Sequence, residues 1–348
     1  MWEKKSMAII VAVFGITTII GCGNTGQSVG GQKTETQASG DQKKVLTFVM
    51  AHALPASDFR GKGYAYFAEE VEKRSNGTVK IEVHPAQTLV KLQDSFEAIT
   101  VGTVDMAALP SSYISNKVKD VSILDVTGSY PPDKWIDVEK AINPILSDIL
   151  KEHNLQYLFG DYEATTAFTL RKGTETVKTP DLKGLKIRDY GKYIADGLKL
   201  WNAIPVNIPL SELNAAVQNK TVDGVYIGWP NIKSFKLYEP TPNITLTGLS
   251  AFWEMLAINM DSYNKMNDEQ KKIFEEVKWE AMKLMEDHAN TDFEQLKKDI
   301  DKAGGTLYTL TPDEKKAFLD KLKPVYDSIE KEAAPNGKRL IEALKNIK

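Results

Sequence analysis

Residues Pro180 to Asn231 read PDLKGLKIRDYGKYIADGLKLWNAIPVNIPLSELNAAVQNKTVDGVYIGWPN. Asp181-Leu182-Lys183-Gly184 is a turn, and Leu185-Lys186-Ile187-Arg188 a short strand ending in arginine. Ala195, Leu198 and Trp201 recur at helical spacing, with Asn202 as a left-handed stop. Ile204 to Ile208 reads as a second strand, broken by Pro205 and Pro209. Ser211 is placed to cap a helix carrying Leu213, Ala216 and Val217, which Asn219 ends. Val222 to Ile227 is a third strand. Such strand–helix–strand repetition builds a parallel sheet, and ligands sit at the carboxyl ends of its strands. Arg188 stands at such an end.

The same β-α-β-α-β order appears earlier. Val45 to Met50 is a strand and His52 to Ser57 a loop. Tyr64, Phe67, Ala68 and Val71 form an i, i+3, i+4, i+7 stripe. Val79, Ile81 and Val83 alternate as a strand. Phe96, Ile99 and Thr100 belong to a helix closed by Gly102, and Val104 to Leu109 is a third strand. Two such units predict two α/β sheets with a cleft between two lobes. Trp135, Val138, Ile142, Leu146 and Ile149 mark a helix bent or restarted near Pro144. Leu155 to Phe159 is a strand, and Thr165 to Leu170 another that crosses between lobes. After strands at 244–249 and 256–259, a helix from Asp268 to about Ala303 exceeds the usual length. It is expected to span both lobes or to break midway. Thr311-Pro312 starts a further helix, and Pro335-Asn336-Gly337 divides the last two. The reading is a two-lobed α/β clamp resembling a periplasmic binding protein. Lobe I is 45–164 with about 254–285 returning to it. Lobe II is 165–253 with about 286–348 returning to it.

The chain of 348 residues is natural for two lobes, and its net charge of −3 argues against a nucleic-acid surface. Its one cysteine, Cys22, excludes an intrachain disulfide and a cysteine-based zinc site. The four histidines, His52, His84, His153 and His288, show no metal-ligand spacing. No metal or cofactor is expected. Lys4 and Lys5 precede an apolar run from Met7 to Ile20, too short for a membrane span and suited to an export signal. It ends Ile19-Ile20-Gly21-Cys22, which resembles the bacterial lipobox. The expectation is a signal peptide over 1–21, lipidation at Cys22, and a flexible tether over 22–44 rich in Gly, Gln, Thr and Ser. The remainder then lies outside the cytoplasmic membrane.

Five segments in order carry a family resemblance. They are Phe67-Ala68-Glu69-Glu70-Val71-Glu72, Asn76 to Val83, Gly102-Thr103-Val104-Asp105-Met106, Asp181 to Arg188, and Val222-Asp223-Gly224. With these the chain resembles the extracytoplasmic solute-binding proteins of tripartite ATP-independent periplasmic (TRAP) transporters, of the DctP type, in lipoprotein form. The resemblance implies that Arg188, ending the LKGLKIR strand, binds a substrate carboxylate with two parallel hydrogen bonds, as its rigid charged fork suits. It implies hinge closure and delivery to a small and a large membrane permease subunit driven by an ion gradient. The protein is expected to be a monomer and not an enzyme.

Two departures shape the expected ligand. Where relatives that bind sialic acid or C4-dicarboxylates have Gln-Glu-Asn after the VDG motif, this chain has Val225-Tyr226-Ile227. A second family arginine falls near Phe168, with Arg171 close in sequence. Fewer polar partners beside Trp229, Tyr226 and Phe168 point to a monocarboxylate with an apolar or aromatic body. His52, Tyr113 and Asn231 complete the candidate ligand-binding set; Trp253 reads as core. Arg188 has an alternative in pairing with Asp189 or Glu163. Two other readings share the clamp: a ligand-presenting lipoprotein for a sensor kinase, and the binding protein of an ATP-driven importer.

Overall fold

The computed structural model describes residues 45–250 and 252–347. The expected export signal, Cys22 and the tether lie outside the described residues. The first half contains β1 (Leu46–Ala51), α1 (Phe59–Arg74), β2 (Val79–His84), α2 (Ser95–Thr100), β3 (Met106–Pro110) and α3 (Ser111–Ile114). Then come α4 (Trp135–Lys151), β4 (Leu155–Gly160), β5 (Thr165–Leu170) and β6 (Lys186–Asp189). Next are α5 (Lys192–Leu200), β7 (Ile204–Asn207), α6 (Leu213–Gln218), β8 (Gly224–Gly228), α7 (Trp229–Ser234), β9 (Asn243–Ser250) and β10 (Glu254–Asn259). The chain closes with α8 (Met260–Tyr263), α9 (Asp268–Lys302), β11 (Thr306–Thr309), α10 (Pro312–Glu332) and α11 (Pro335–Lys345).

Two sheets result. One has the order β2-β1-β3-β10-β4, the other β11-β9-β5-β8-β6-β7. The β-α-β units pair in parallel as their crossover helices require: β1 with β2 and β3, β6 with β7 and β8. Each sheet is nonetheless mixed, which the expectation of parallel sheets missed. β10 runs antiparallel to β3, Glu254 facing Pro110, and β5 runs antiparallel to β8 and β9. The cause is connectivity. A strand arriving from the other lobe enters at the carboxyl end of its neighbour and must run back along it. The two crossings are residues 161–164, between β4 and β5, and the short link from Ser250 to Glu254. β5 itself belongs wholly to the second sheet and is not the crossing strand.

Local chemistry sets the element ends. Asp58 caps α1, its side chain accepting from Arg60 N. Capping boxes start α9 at Asn267 with Gln270, and α10 at Thr311 with Glu314. Asn202, at φ +61°, stops the chain after α5 in the left-handed conformation. Ser211 does not cap α6. It lies within a 3-10 turn, Leu210–Glu212, that leads directly into the helix with Glu212 at the cap position. Nor does Pro144 break α4, which runs through it with Val138, Ile142, Ile145, Leu146 and Ile149 buried. Pro144 and Lys140 both lie on the exposed face, where water reaches the carbonyl that proline leaves without a donor.

α9 is 35 residues long and unbroken. It packs on α1 and β4 of the first lobe and on α7 and β11 of the second. Its apolar positions, among them Phe274, Val277, Met282, Met285 and Leu296, are buried. β10 rejoins the first sheet and β11 the second. α11, by contrast, packs on α4 and on the turn Lys119–Asp125. The last helix therefore lies on the first lobe's side. Trp253 is core, its ring against Gly160 and its Nε1 donating to the Tyr157 hydroxyl at 3.1 Å. Among the described residues no helix is long and apolar enough to cross a membrane.

Candidate functional site

A narrow cavity of about 340 Å³ lies where the two sheets meet. The first lobe contributes Leu54, Leu92, Pro110 and Tyr113. The second contributes Arg188, Tyr190, Leu210, Ile227 and Asn231, and the crossing contributes Phe252 and Glu254. Most of the wall is apolar, with a few polar groups converging on it, as in small-molecule sites generally. Tyr113 and Tyr190 also line a wider neighbouring cavity of about 790 Å³, with Gln93, Asn116 and Asn207.

Arg188 is placed by β6, whose pairing with β7 and β8 fixes its backbone on both sides. Its side chain is 1 % exposed. Nε donates to the Ile208 carbonyl at 3.0 Å, and the guanidinium carbon sits 5.1 Å from the Tyr190 ring centroid. Among the described residues it makes no ion pair. Asp189 instead accepts from Asn207 Nδ2 at 2.8 Å, and Glu163 is taken by Arg60. Burial pushes the Arg188 pKa down from its ordinary value, while Tyr113, Tyr190 and Asp189 pull it partly back. A guanidinium stays charged under any such shift, so a cation without a protein counter-ion faces the cavity.

Behind the cavity lies a second charged cluster. Arg60, fully buried, holds Asp58 through Nε at 2.9 Å and Nη2 at 2.8 Å, and Glu163 through Nη1. Its Nη2 also donates to Asn231 Oδ1 at 3.1 Å, and Asn231 Nδ2 donates to Glu163 Oε2 at 3.1 Å. Ser234 Oγ donates to Asp58 Oδ2 at 2.5 Å. Tyr64 donates its hydroxyl to Asp161 Oδ2 at 2.8 Å. Oxygens of Asp161, Glu163 and Glu254 all lie within 4.8 Å of one another. Burial, then the neighbouring acids, raise the Asp161 and Glu254 carboxyls well above the usual carboxylate range. Asp58 is held below it, the Arg60 charge and hydrogen bonds outweighing burial.

The structure brings three of the sequence candidates to the cavity: Arg188, Tyr113 and Asn231. The others lie elsewhere. Phe168 and Tyr226 stack at 4.6 Å between centroids in the core of the second lobe, beside Trp201 and Phe318. Strand parity explains this: Val225 and Ile227 face one side of β8, Tyr226 the other, and only Ile227 reaches the cavity. Trp229 opens α7 and packs on Phe59 and Phe293, at 6.0 and 5.0 Å. His52 is buried against Tyr64, at 5.1 Å, one residue short of the cavity wall at Ala53. Arg171 donates to the carbonyls of Val217 and Val222, the latter at 2.9 Å, and so closes the end of α6. Sequence reasoning missed Tyr190, Phe252, Arg60 and Glu254. Glu254 left a signal: it is the one acid in the otherwise apolar run from Phe252 to Ile258.

The family model described as bacterial extracellular solute-binding protein, family 7 (DctP), matches residues 50–333. A solute-binding protein of Albidiferax ferrireducens is 27% identical over 286 residues, 78% of this chain and 82% of that one. The C4-dicarboxylate-binding protein DctB of Bacillus subtilis is 26% identical over 292 residues, 82% of each chain. A TRAP periplasmic solute-binding protein of Chromohalobacter salexigens, solved with bound D-glucuronate, superposes with a TM-score of 0.79 at 22% identity. That comparison covers 86% of this chain and 100% of the other. The family is one of transporter binding proteins rather than enzymes, and the two-lobed α/β fold is its architecture; the chain belongs to the DctP family of TRAP solute-binding proteins.

Proposed function

We propose that this protein captures a small monocarboxylate with an apolar body between its lobes and delivers it to a TRAP permease of one small and one large membrane subunit. The observation that carries the reading is Arg188: a buried guanidinium, without an ion-pair partner among the described residues, facing a cavity walled by Leu54, Leu92, Leu210, Ile227 and Phe252. An isolated buried charge is costly, and a ligand carboxylate supplies the missing partner through two charge-assisted hydrogen bonds of about 1.5–3 kcal/mol each. Micromolar affinity needs roughly −8 kcal/mol, so the apolar walls and lobe closure supply the remainder.

In this reading the open clamp admits the acid, Arg188 takes its carboxylate, and Tyr113 of the first lobe closes over it. Ile227, following the VDG motif, leaves no polar group there for a second carboxylate. His52, Phe168, Tyr226 and Trp229 then act from behind, holding the walls. Lipidation of Cys22 would keep the domain at the outer face of the cell membrane, with 22–44 as its tether. Mass spectrometry of small molecules released from the purified protein tests the reading. A monocarboxylic acid with a hydrocarbon body supports it. A sugar acid or a C4-dicarboxylate as the only released species, and the only one to raise the melting temperature, refutes the apolar-body assignment.

A further inference from the structure

The cavity has a second pole. Glu254 begins β10 at the crossing between lobes, its carbonyl accepting from Asp161 N at 3.0 Å. Its side chain lines the same cavity as Arg188. It is 3 % exposed, and its Oε1 has no hydrogen-bond partner among the described residues. Around it stand more acids than bases. Asp58, Asp161, Glu163 and Glu254 share the single guanidinium of Arg60, which is committed to Asp58 and Glu163. Asp161 has the Tyr64 hydroxyl. Glu254 shares a hydrogen bond with Glu163, and of the four acids it is the one that lines the cavity. Buried carboxyl oxygens without a donor are destabilising, and like charges this close oppose one another. A positive group delivered by the ligand relieves both.

We propose that the ligand is a zwitterion, an amino acid with an apolar side chain, whose carboxylate docks on Arg188 while its ammonium donates to the Glu254 carboxylate. The inference rests on Arg188 as the carboxylate anchor and adds the opposite end. An ammonium suits the site better than a hydroxyl because the neighbouring carboxylates attract its charge as well as its hydrogens. Without ligand, burial with Asp161 and Glu163 at hand drives Glu254 toward its protonated form, so a proton occupies the place the ammonium takes.

Three ligand series test this by titration calorimetry on protein freed of co-purified ligand. Each series keeps one body and varies the substituent beside the carboxylate: leucine, 2-hydroxy-4-methylpentanoate and 4-methylpentanoate; phenylalanine, phenyllactate and 3-phenylpropanoate; norvaline, 2-hydroxypentanoate and pentanoate. In at least one series the amino member is expected to bind tenfold or more tightly than both partners. Glu254→Gln is expected to erase that ratio while leaving the deaminated acid within about threefold of its wild-type affinity. If that variant does not fold, the wild-type ratios decide alone. A hydroxy or deaminated acid that binds as tightly as its amino partner overturns the zwitterion and leaves the Arg188 reading standing. So does a deaminated acid that matches the amino member once calcium or sodium is added, since a metal ion then holds that pole. Failure of every series to bind, or binding indifferent to Arg188→Met, overturns both readings.

Discussion

Arg60 and Asn231 join the two lobes: the guanidinium Nη2 on α1 donates to Asn231 Oδ1 on α7 at 3.1 Å. The same guanidinium holds Asp58 and Glu163, and Asn231 holds Glu163. One side chain thus ties the first helix of lobe I, the crossing and the first turn after β8. Removing one partner of a buried ionic network leaves the others unpaired, at a cost of about 3–5 kcal/mol. Arg60→Met is expected to lose that much by urea denaturation at pH 7. The loss should shrink at pH 5, where the abandoned carboxylates take up protons. A loss below about 1 kcal/mol at pH 7 contradicts the network reading.

Arg188 predicts the opposite pattern. It sits buried, its Nε donating to Ile208 O, with no ion pair among the described residues. Arg188→Met removes an uncompensated charge and keeps most of the volume. Stability without ligand should stay level or rise, whereas affinity for the co-purifying acid should fall more than hundredfold. The fall follows from two lost charge-assisted bonds of about 1.5–3 kcal/mol each. Retained affinity, or an unfolded variant, would give Arg188 a structural role instead.

His52 gives stability a pH dependence of known sign. Burial pushes its pKa from 6.5 to about 4, Asp58 pulling partly upward and Arg60 adding to the fall. The unfolded chain therefore binds more protons between pH 4 and 6.5, and stability contributed by neutral His52 is lost as pH falls through that window. By pH 5 the loss amounts to about 2 kcal/mol relative to pH 7. Asp161 and Glu254 act the other way, because their raised carboxyls favour the folded state at low pH. The difference between wild type and His52→Gln isolates the imidazole. That difference should narrow by about 2 kcal/mol from pH 7 to pH 5, and a constant gap would show that His52 is charged or exposed in the fold.

How far the chain is legible depends on the distance over which its signals act. The Asp181–Arg188 turn and strand, the stop at Asn202 and the start at Thr311-Pro312 are local, and each stands within a residue or two of its expected place. Arg188 was legible because its position at a strand end is also local. Phe168 and Tyr226 were misplaced because aromatic identity says nothing about which face of a strand is the cleft face; that follows from α10 covering them through Phe318. The network of Asp58, Arg60, Glu163, Asn231 and Glu254 draws on segments up to about two hundred residues apart. Its members sit at crossings and helix starts, where no periodicity points to them. Asn231 stands out by its place after Pro230, and the isolation of Glu254 in an apolar run is the other signal visible in the sequence.

The crossing also depends on glycine where β4 ends. A Cβ on Gly160 would lie 2.4 Å from two carbons of the Trp253 indole. Trp253 is 1 % exposed, bonded through Nε1 to Tyr157 and stacked edge-on against Tyr130 at 5.2 Å. A rigid, tethered ring has nowhere to go, so Gly160→Ala must displace the strand that leads into the crossing. Gly63 provides the control. A Cβ there would lie 2.3 Å from the terminal methyl and 2.6 Å from Cγ of Met285, an unbranched thioether side chain that can change rotamer. Overpacking costs about 1–3 kcal/mol when neighbours cannot yield, and methionine adapts more readily than other core residues. Gly160→Ala is expected at or above the top of that range, with weakened ligand binding because Glu254 follows Trp253 directly. Gly63→Ala should cost less and leave binding unchanged. Equal losses of stability and equal affinities in the two variants would show that the indole is not what holds the crossing in place.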